Sequence, residues 1–127
     1  MKAYKLTAIL SGILLLVIIL GFTGCGNFQE VNPTYSEPGI RGYITKIDSE
    51  NGNASILVEG NIEEDTQFDK ALARIDKNTM IQKDNLSRLF EVSDLNVGDK
   101  VEVYFTGAIA ESYPVQGTAA IVRIITE

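Results

Sequence analysis

In several segments from Ile40 onward, apolar residues recur at every second position, and a period of two is the spacing of a β-strand rather than of a helix. The alternation holds over residues 40–44 and slips at Ile47, which predicts a β-bulge near Thr45-Lys46. Asn51-Gly52 is a strong hairpin signal, because both residues tolerate the positive φ of a two-residue turn. Further strands are predicted over residues 54–58, 71–75, 101–105 and 118–125, with a short piece at 79–81.

Two segments complete the predicted fold. Residues 84–94 are the one segment with apolar side chains three and four positions apart, and they predict a short helix. The last strand, residues 118–125, is almost entirely apolar, which predicts burial on both of its faces. The whole pattern predicts a mainly β protein, a small OB-like five-stranded barrel with one short helical segment. An open five-stranded sheet is the alternative.

The first 24 residues differ from the rest and predict a signal helix. Lys2 and Lys5 precede a mostly apolar run over residues 6–20, which is the order of a secretory signal peptide. A membrane-spanning helix needs about 20 apolar residues, so an uncleaved anchor over Leu6–Thr23 is the alternative. Both interpretations place the rest of the chain outside the cytoplasm.

The segment Phe22-Thr23-Gly24-Cys25 contains the only cysteine of the chain. It resembles the lipobox of bacterial lipoproteins, whose cysteine receives a diacylglyceryl group before a signal peptidase cuts in front of it. Phe22 departs from that pattern, in which leucine is usual. A buried small apolar cysteine is the alternative, but flanking glycines and the polar sequence that follows disfavour it.

We therefore predict a lipoprotein that carries palmitate or a similar acyl chain on Cys25 and is held on the extracytoplasmic face of the cell membrane. Two acyl chains give stable anchoring, whereas one gives only marginal binding. The predicted domains are a signal peptide (1–24), a lipidated cysteine with a flexible tether (25–39) and an OB-like β-barrel (40–127).

Charge and composition exclude several function classes. Removal of residues 1–24 takes away two lysines and no acid, which leaves 9 basic and 17 acidic residues and a net charge of −8. Nucleic acid is not an expected partner, because its binding depends on Lys and Arg that neutralise phosphates. The absence of histidine removes Ser-His-Asp and Cys-His catalysis and the usual zinc sites. A dyad of Ser112 with Lys46 or Lys100 has no support from spacing, so we expect no enzyme activity, no cofactor and no metal.

Residues 94–124, DLNVGDKVEVYFTGAIAESYPVQGTAAIVRI, resemble the C-terminal signature of the YobA-like lipoprotein family of Gram-positive bacteria, which carries the domain of unknown function 3221. Gly42-Tyr43-Ile44 matches the opening strand of that family. Ala108 and Tyr104 depart from the pattern, in which proline and tryptophan are expected. The family has no established catalytic role, so the resemblance implies an envelope location and no activity.

Glu111-Ser112-Tyr113-Pro114 joins the last two predicted strands and is the first candidate binding site. An exposed tyrosine beside serine and glutamate can cap a groove on the barrel, since loops on a rigid sheet often carry binding. The alternative is structural: Tyr113 packs over the end of the barrel and bonds its hydroxyl to backbone, while Pro114 fixes the turn.

Two other groups of residues are candidates. Tyr43, Leu57 and Tyr104 fall out of phase with the inward residues, and on one outer face they would form a stacking patch for a sugar or peptide. Outward aromatics are also good strand formers that need no ligand. Four acids between Glu63 and Asp69 are either a Ca²⁺-binding loop or, more simply, a solvated acidic loop.

From the sequence we expect a non-enzymatic binding module of the cell envelope. Its expected partners are the membrane, through Cys25, and an unknown envelope ligand or protein. The alternative is a structural or regulatory interaction protein, such as an inhibitor or accessory subunit of another envelope protein.

Overall fold

The computed structural model describes residues 35–86 and 88–127. The signal segment, Cys25 and the first part of the predicted tether lie outside these residues. Within the described ranges no helix is long and apolar enough to cross a membrane. The strands of the described chain are β1 (Ile40–Glu50), β2 (Asn53–Glu59), β3 (Lys70–Ile75), β4 (Met80–Lys83), β5 (Lys100–Ala110) and β6 (Val115–Ile125).

Five of these strands close into a ring in the order β3-β2-β1-β5-β6, through antiparallel pairs and a parallel pair between β3 and β6. Closure pairs strand edges that would otherwise be exposed and wraps the inward side chains around one core. β4 lies outside the ring, parallel to the second half of β6. The predicted OB-like five-stranded barrel is confirmed, and the alternative of an open sheet is wrong.

The first hairpin follows the sequence prediction. The pairing of β1 with β2 shifts register between Ile44 and Lys46, so the predicted bulge is confirmed. Asn51 and Gly52 have φ of 51° and 79°, the positive values that a tight hairpin turn requires. The first half of β1 pairs with β5 and the remainder with β2, so the bulge lies where the strand changes partners.

The core consists of aliphatic side chains that alternate inward from the strands. β6 is buried on both faces at its centre, as predicted. Val122 belongs to the barrel core, whereas Ala120 and Ile121 pack in a second cluster with Tyr104 and Tyr35. The largest fully buried side chains, each at most 1% exposed, are Ile40, Ile44, Ile56, Val58, Val101, Val103 and Val122.

The short helical segment is present only as a 3₁₀ turn, Val92–Asp94, so the helix predicted over residues 84–94 is wrong in its extent. Phe90 instead forms an extended bridge with Ile81, whose carbonyl accepts a 2.9 Å hydrogen bond from the Phe90 N–H. Phe90 packs on the core, while Leu86 and Leu89 are 56% and 64% exposed. Tertiary pairing of one apolar residue therefore overrides a weak helical pattern.

Candidate functional site

A cleft opens on the outer surface where β1, β2, β3 and β6 lie side by side, and we call it the hairpin cleft. Its volume is about 660 Å³, which lies within the range of small-molecule sites. Residues 50–53 of the β1–β2 hairpin line one side of it. The strand registers pair four of its lining residues in one cross-strand row: Asp48, Ser55, Arg74 and Thr118.

The acids and bases of the hairpin cleft differ in how they are paired. Lys46 Nζ lies 3.1 Å from the Asp48 carboxylate. The Asp76 carboxylate closes the next turn, where it accepts a 2.9 Å hydrogen bond from the Asn78 N–H. Arg74 makes no ion pair within residues 35–86 and 88–127. The cleft therefore offers one guanidinium without an ion-pair partner in the described chain, placed between Ser55 and Thr118 in the cross-strand row.

Arg41 organises a second cluster, the Arg41 cluster, which joins β1, β5 and the acidic loop. Its two terminal nitrogens donate to both oxygens of Asp65 at 2.9 and 2.7 Å, and Nη2 also lies 3.2 Å from Glu102. Glu63 pairs with Nη1. A bidentate contact is the strong form of the arginine–carboxylate pair. Glu63 and Asp65 of the acidic loop are therefore paired with Arg41, while their side chains stay 48% and 42% exposed to solvent.

The contacts within the Arg41 cluster change the pKa values of its members. Hydrogen bonds from Arg41 lower the pKa of Asp65 below its ordinary 3.8. The same hydrogen bond with Asp65, followed by those with Glu63 and Glu102, raises the pKa of Arg41 well above its ordinary range. Each group therefore stabilises the charged form of the other. Within the described ranges no group of three or more acidic or cysteine side chains has a metal-binding arrangement.

Because the folded state lowers the pKa of Asp65, its contribution to stability is present at neutral pH and is lost as the pH falls below about 4. In Asp65→Asn this titration is absent. We expect the unfolding free energy of the wild type to fall more steeply between about pH 5 and pH 2 than that of Asp65→Asn. Urea unfolding at a series of pH values measures both slopes.

The matched control for this titration is Glu64→Gln, which removes a neighbouring exposed acid that is not among the three carboxylates on Arg41. That variant should keep the wild-type slope. Parallel curves for the wild type and Asp65→Asn would contradict the assigned role of Asp65.

Tyr104 is not available for stacking, so its place in the predicted outer patch is wrong. The residue is only 6% exposed, because Tyr35 covers it edge-on with a centroid separation of 6.4 Å. Its hydroxyl lies 3.3 Å from both Glu102 and Arg123. Burial, and then the charge of Glu102, raise the pKa of Tyr104.

Tyr43 and Leu57 do face outward, on neighbouring strands. Tyr43 is 47% exposed and Leu57 is partly buried. Tyr43 pairs with Lys100, four residues before Tyr104 on β5, which separates the two tyrosines by about 13 Å along the strand. The three residues therefore do not form one patch.

The connection between β5 and β6 places Glu111, Ser112 and Tyr113 in solvent. Tyr113 is 72% exposed, and its hydroxyl lies 3.4 Å from the Asp69 carboxylate rather than on backbone. Lys70 Nζ lies 5.9 Å from the centre of the Tyr113 ring. The packed alternative for Tyr113 is therefore wrong, whereas its role in binding stays a prediction.

Sequence reasoning missed both Arg74 and Arg41. Each is an outward residue of a predicted strand, and outward arginines are ordinary on a solvated sheet. The sequence could have predicted only part of the cleft. The Asn51-Gly52 turn predicts that Asp48 lies opposite Ser55, since two-residue loops fix hairpin register. No local pattern places Arg74 beside that pair.

Comparison with known proteins gives one match. The family model described as "Protein of unknown function (DUF3221)" matches residues 41–126 of this chain. No curated protein matches the chain, and no solved structure matches it. The matched range contains the hairpin cleft and the Arg41 cluster.

Proposed function

We propose that this chain, which belongs to the DUF3221 family of proteins of unknown function, is a lipid-anchored binding module on the extracytoplasmic face of the cell membrane. The hairpin cleft is the observation that carries the proposal. OB-folds bind ligands on the face of their second and third strands and the adjoining loops. The cleft occupies that position, on β2, β3 and the β1–β2 hairpin, and this argument is one of fold-level analogy.

The proposed module has no catalytic role. A covalent mechanism needs a nucleophile hydrogen-bonded to a base, and the chain has no histidine to act as that base. Among the described residues, Ser55 in the cleft makes no hydrogen bond to a lysine or carboxylate. The cleft therefore supports binding rather than bond making.

The anchor is tested at Cys25. Cells fed radiolabelled palmitate should label the wild-type chain and not Cys25→Ala, because the thioether requires a thiol. Thr23→Ala is the control, since it keeps both the thiol and a small residue before it, and it should label like the wild type. Equal label in the wild type and Cys25→Ala would contradict lipid anchoring.

An interaction protein is the second candidate, and the outer edge of β5 favours it. β1 pairs with β5 only at Lys100–Val103, so the same edge of β5 over residues 106–110 has no strand partner in the described chain. That segment, TGAIA, carries no charge and no proline, which are two of the usual protections of an exposed edge, and its pairing with β6 is irregular between Thr106 and Ala110. An extended segment of another protein can add there as a strand.

One comparison separates the two candidates. A binding module predicts a rise in melting temperature with some member of a panel of envelope saccharides and peptides. An interaction protein predicts no such shift, together with a protein that crosslinks to the full lipoprotein in its native cell. Loss of that crosslink in Ala108→Lys would assign the contact to the β5 edge.

A further inference from the structure

Arg74 lies at the centre of the hairpin cleft, on β3 between Ser55 on β2 and Thr118 on β6. Its guanidinium is exposed and has no carboxylate partner in the described chain, in contrast to Arg41 with its three. A guanidinium presents a rigid fork of donors that matches the two oxygens of a carboxylate or phosphate. The Arg74 guanidinium can therefore bind an anionic group in the cleft.

The acids around the cleft do not compensate Arg74. Asp48 is paired with Lys46, and Asp76 accepts hydrogen bonds within its own turn from the Asn78 N–H and the Thr79 hydroxyl. Glu50 also lines the cleft, opposite Asn53 where the hairpin closes. Arg74 is therefore the lining cation without an ion-pair partner in the described chain, because the other one, Lys46, is paired with Asp48.

The remaining lining of the cleft is mainly short and polar. It contains the hydroxyls of Ser55 and Thr118 and the amides of Asn51 and Asn53, which can both donate and accept hydrogen bonds. Its apolar lining residues are Ala54 and Ile75, of which Ile75 is almost buried. Such a surface offers hydrogen-bond partners to a ligand rich in hydroxyl groups.

The row from Asp48 to Thr118 crosses four strands, a distance of about 14 Å at the usual strand spacing. The cleft is open to solvent along its length, so a chain can lie across it. A single central cation fits a ligand with an isolated acidic group, unlike the row of cations that nucleic acid requires.

We infer that the hairpin cleft binds a polyhydroxylated chain that carries a carboxylate or a phosphate, with Arg74 holding the acidic group. This inference rests on the proposed binding function and names its ligand class.

The test is calorimetric titration of the full lipoprotein in detergent with three short oligomers. These are a glucose oligosaccharide that ends in one uronic acid, the same oligosaccharide with one terminal phosphate, and the uncharged glucose oligosaccharide. The wild type should bind at least one of the acidic oligomers, and whichever one binds identifies carboxylate or phosphate as the anionic group. Arg74→Gln should weaken that binding at least about tenfold, the loss expected for one charge-assisted contact.

Lys77→Gln is the matched control, because it removes an exposed cation three residues along the chain that does not line the cleft. It should bind like the wild type, and both variants should keep the wild-type melting temperature. Equal affinity in Arg74→Gln and the wild type, or tighter binding of the uncharged oligomer, overturns the inference and leaves the binding function intact. If none of the three oligomers binds, the inference is overturned. The proposed function is overturned as well only if the wider panel of saccharides and peptides also gives no shift in melting temperature.

Discussion

Gly42→Ala should lower the unfolding free energy by about 4 kcal/mol, a large part of the roughly 5–15 kcal/mol that stabilises an ordinary domain. A Cβ on Gly42 would meet the carbonyl of Glu59 and would lie 2.8 Å from the Gly60 N. These neighbours are backbone atoms of β2 and of the residue that follows it, so no side-chain rotation relieves the clash. The two segments must separate, and β1 must then lose pairing on one side.

The position of Gly42 explains the size of this effect. Gly60 faces it, and a Cβ on Gly60 would lie 2.8 Å from the Gly42 Cα, so two glycines together permit the approach. Gly42 also pairs with Val101 on β5, which places the clash inside the closed ring. Loss of this contact would open the barrel rather than disturb its surface.

Urea unfolding followed by circular dichroism measures the loss in Gly42→Ala. Ser49→Ala, an exposed substitution later in the same strand, should change the unfolding free energy by no more than about 0.5 kcal/mol. A Gly42→Ala protein with wild-type stability would show that the two segments do not approach this closely.

Arg41→Met should lower the unfolding free energy by about 2 to 3 kcal/mol and loosen the acidic loop. Methionine fills much of the same volume but leaves Glu63, Asp65 and Glu102 without their cation. The side chain of Glu102 is only 14% exposed, so its uncompensated charge is costly. Solvent reaches the other two carboxylates, which keeps the effect below that of a fully buried pair.

The loop provides a second readout for Arg41→Met. Amide hydrogen exchange over residues 61–69 should become faster, because Arg41 holds that loop to β1 and β5 through side-chain contacts. Lys46→Met is the matched control: it breaks an exposed pair with Asp48 in the same strand and should change stability by at most about 0.5 kcal/mol. Equal stability losses in the two variants would contradict a special role for the Arg41 cluster.

Prediction from sequence succeeded where the signal was local. The slip at Ile47 located the bulge, and the Asn51-Gly52 turn located the first hairpin, since each depends on neighbouring residues alone. It failed for residues 84–94, because helical spacing over so short a segment carries little free energy. Pairing of Phe90 with Ile81 was enough to override it.

The candidate site shows the same division. Tyr104 was correctly predicted to point away from the core of the barrel. A side chain that points away from the ring can nevertheless be buried by another segment. Tyr35, 69 residues earlier in the chain, folds over it and buries it. No period in either segment encodes that contact, because it depends on where the chain enters the barrel.

Alternation of apolar and polar residues was enough to predict most of the strands, their inward faces and the mainly β class, because it follows burial directly. Which outward residues lie next to each other depends instead on how the sheet closes. Closure of the ring through β3 and β6 places Arg74 beside Thr118, and the path of the loop before β3 brings Asp65 to Arg41. Such contacts depend on strand register and long-range closure. The residues around each member of such a pair therefore do not predict which residue it contacts.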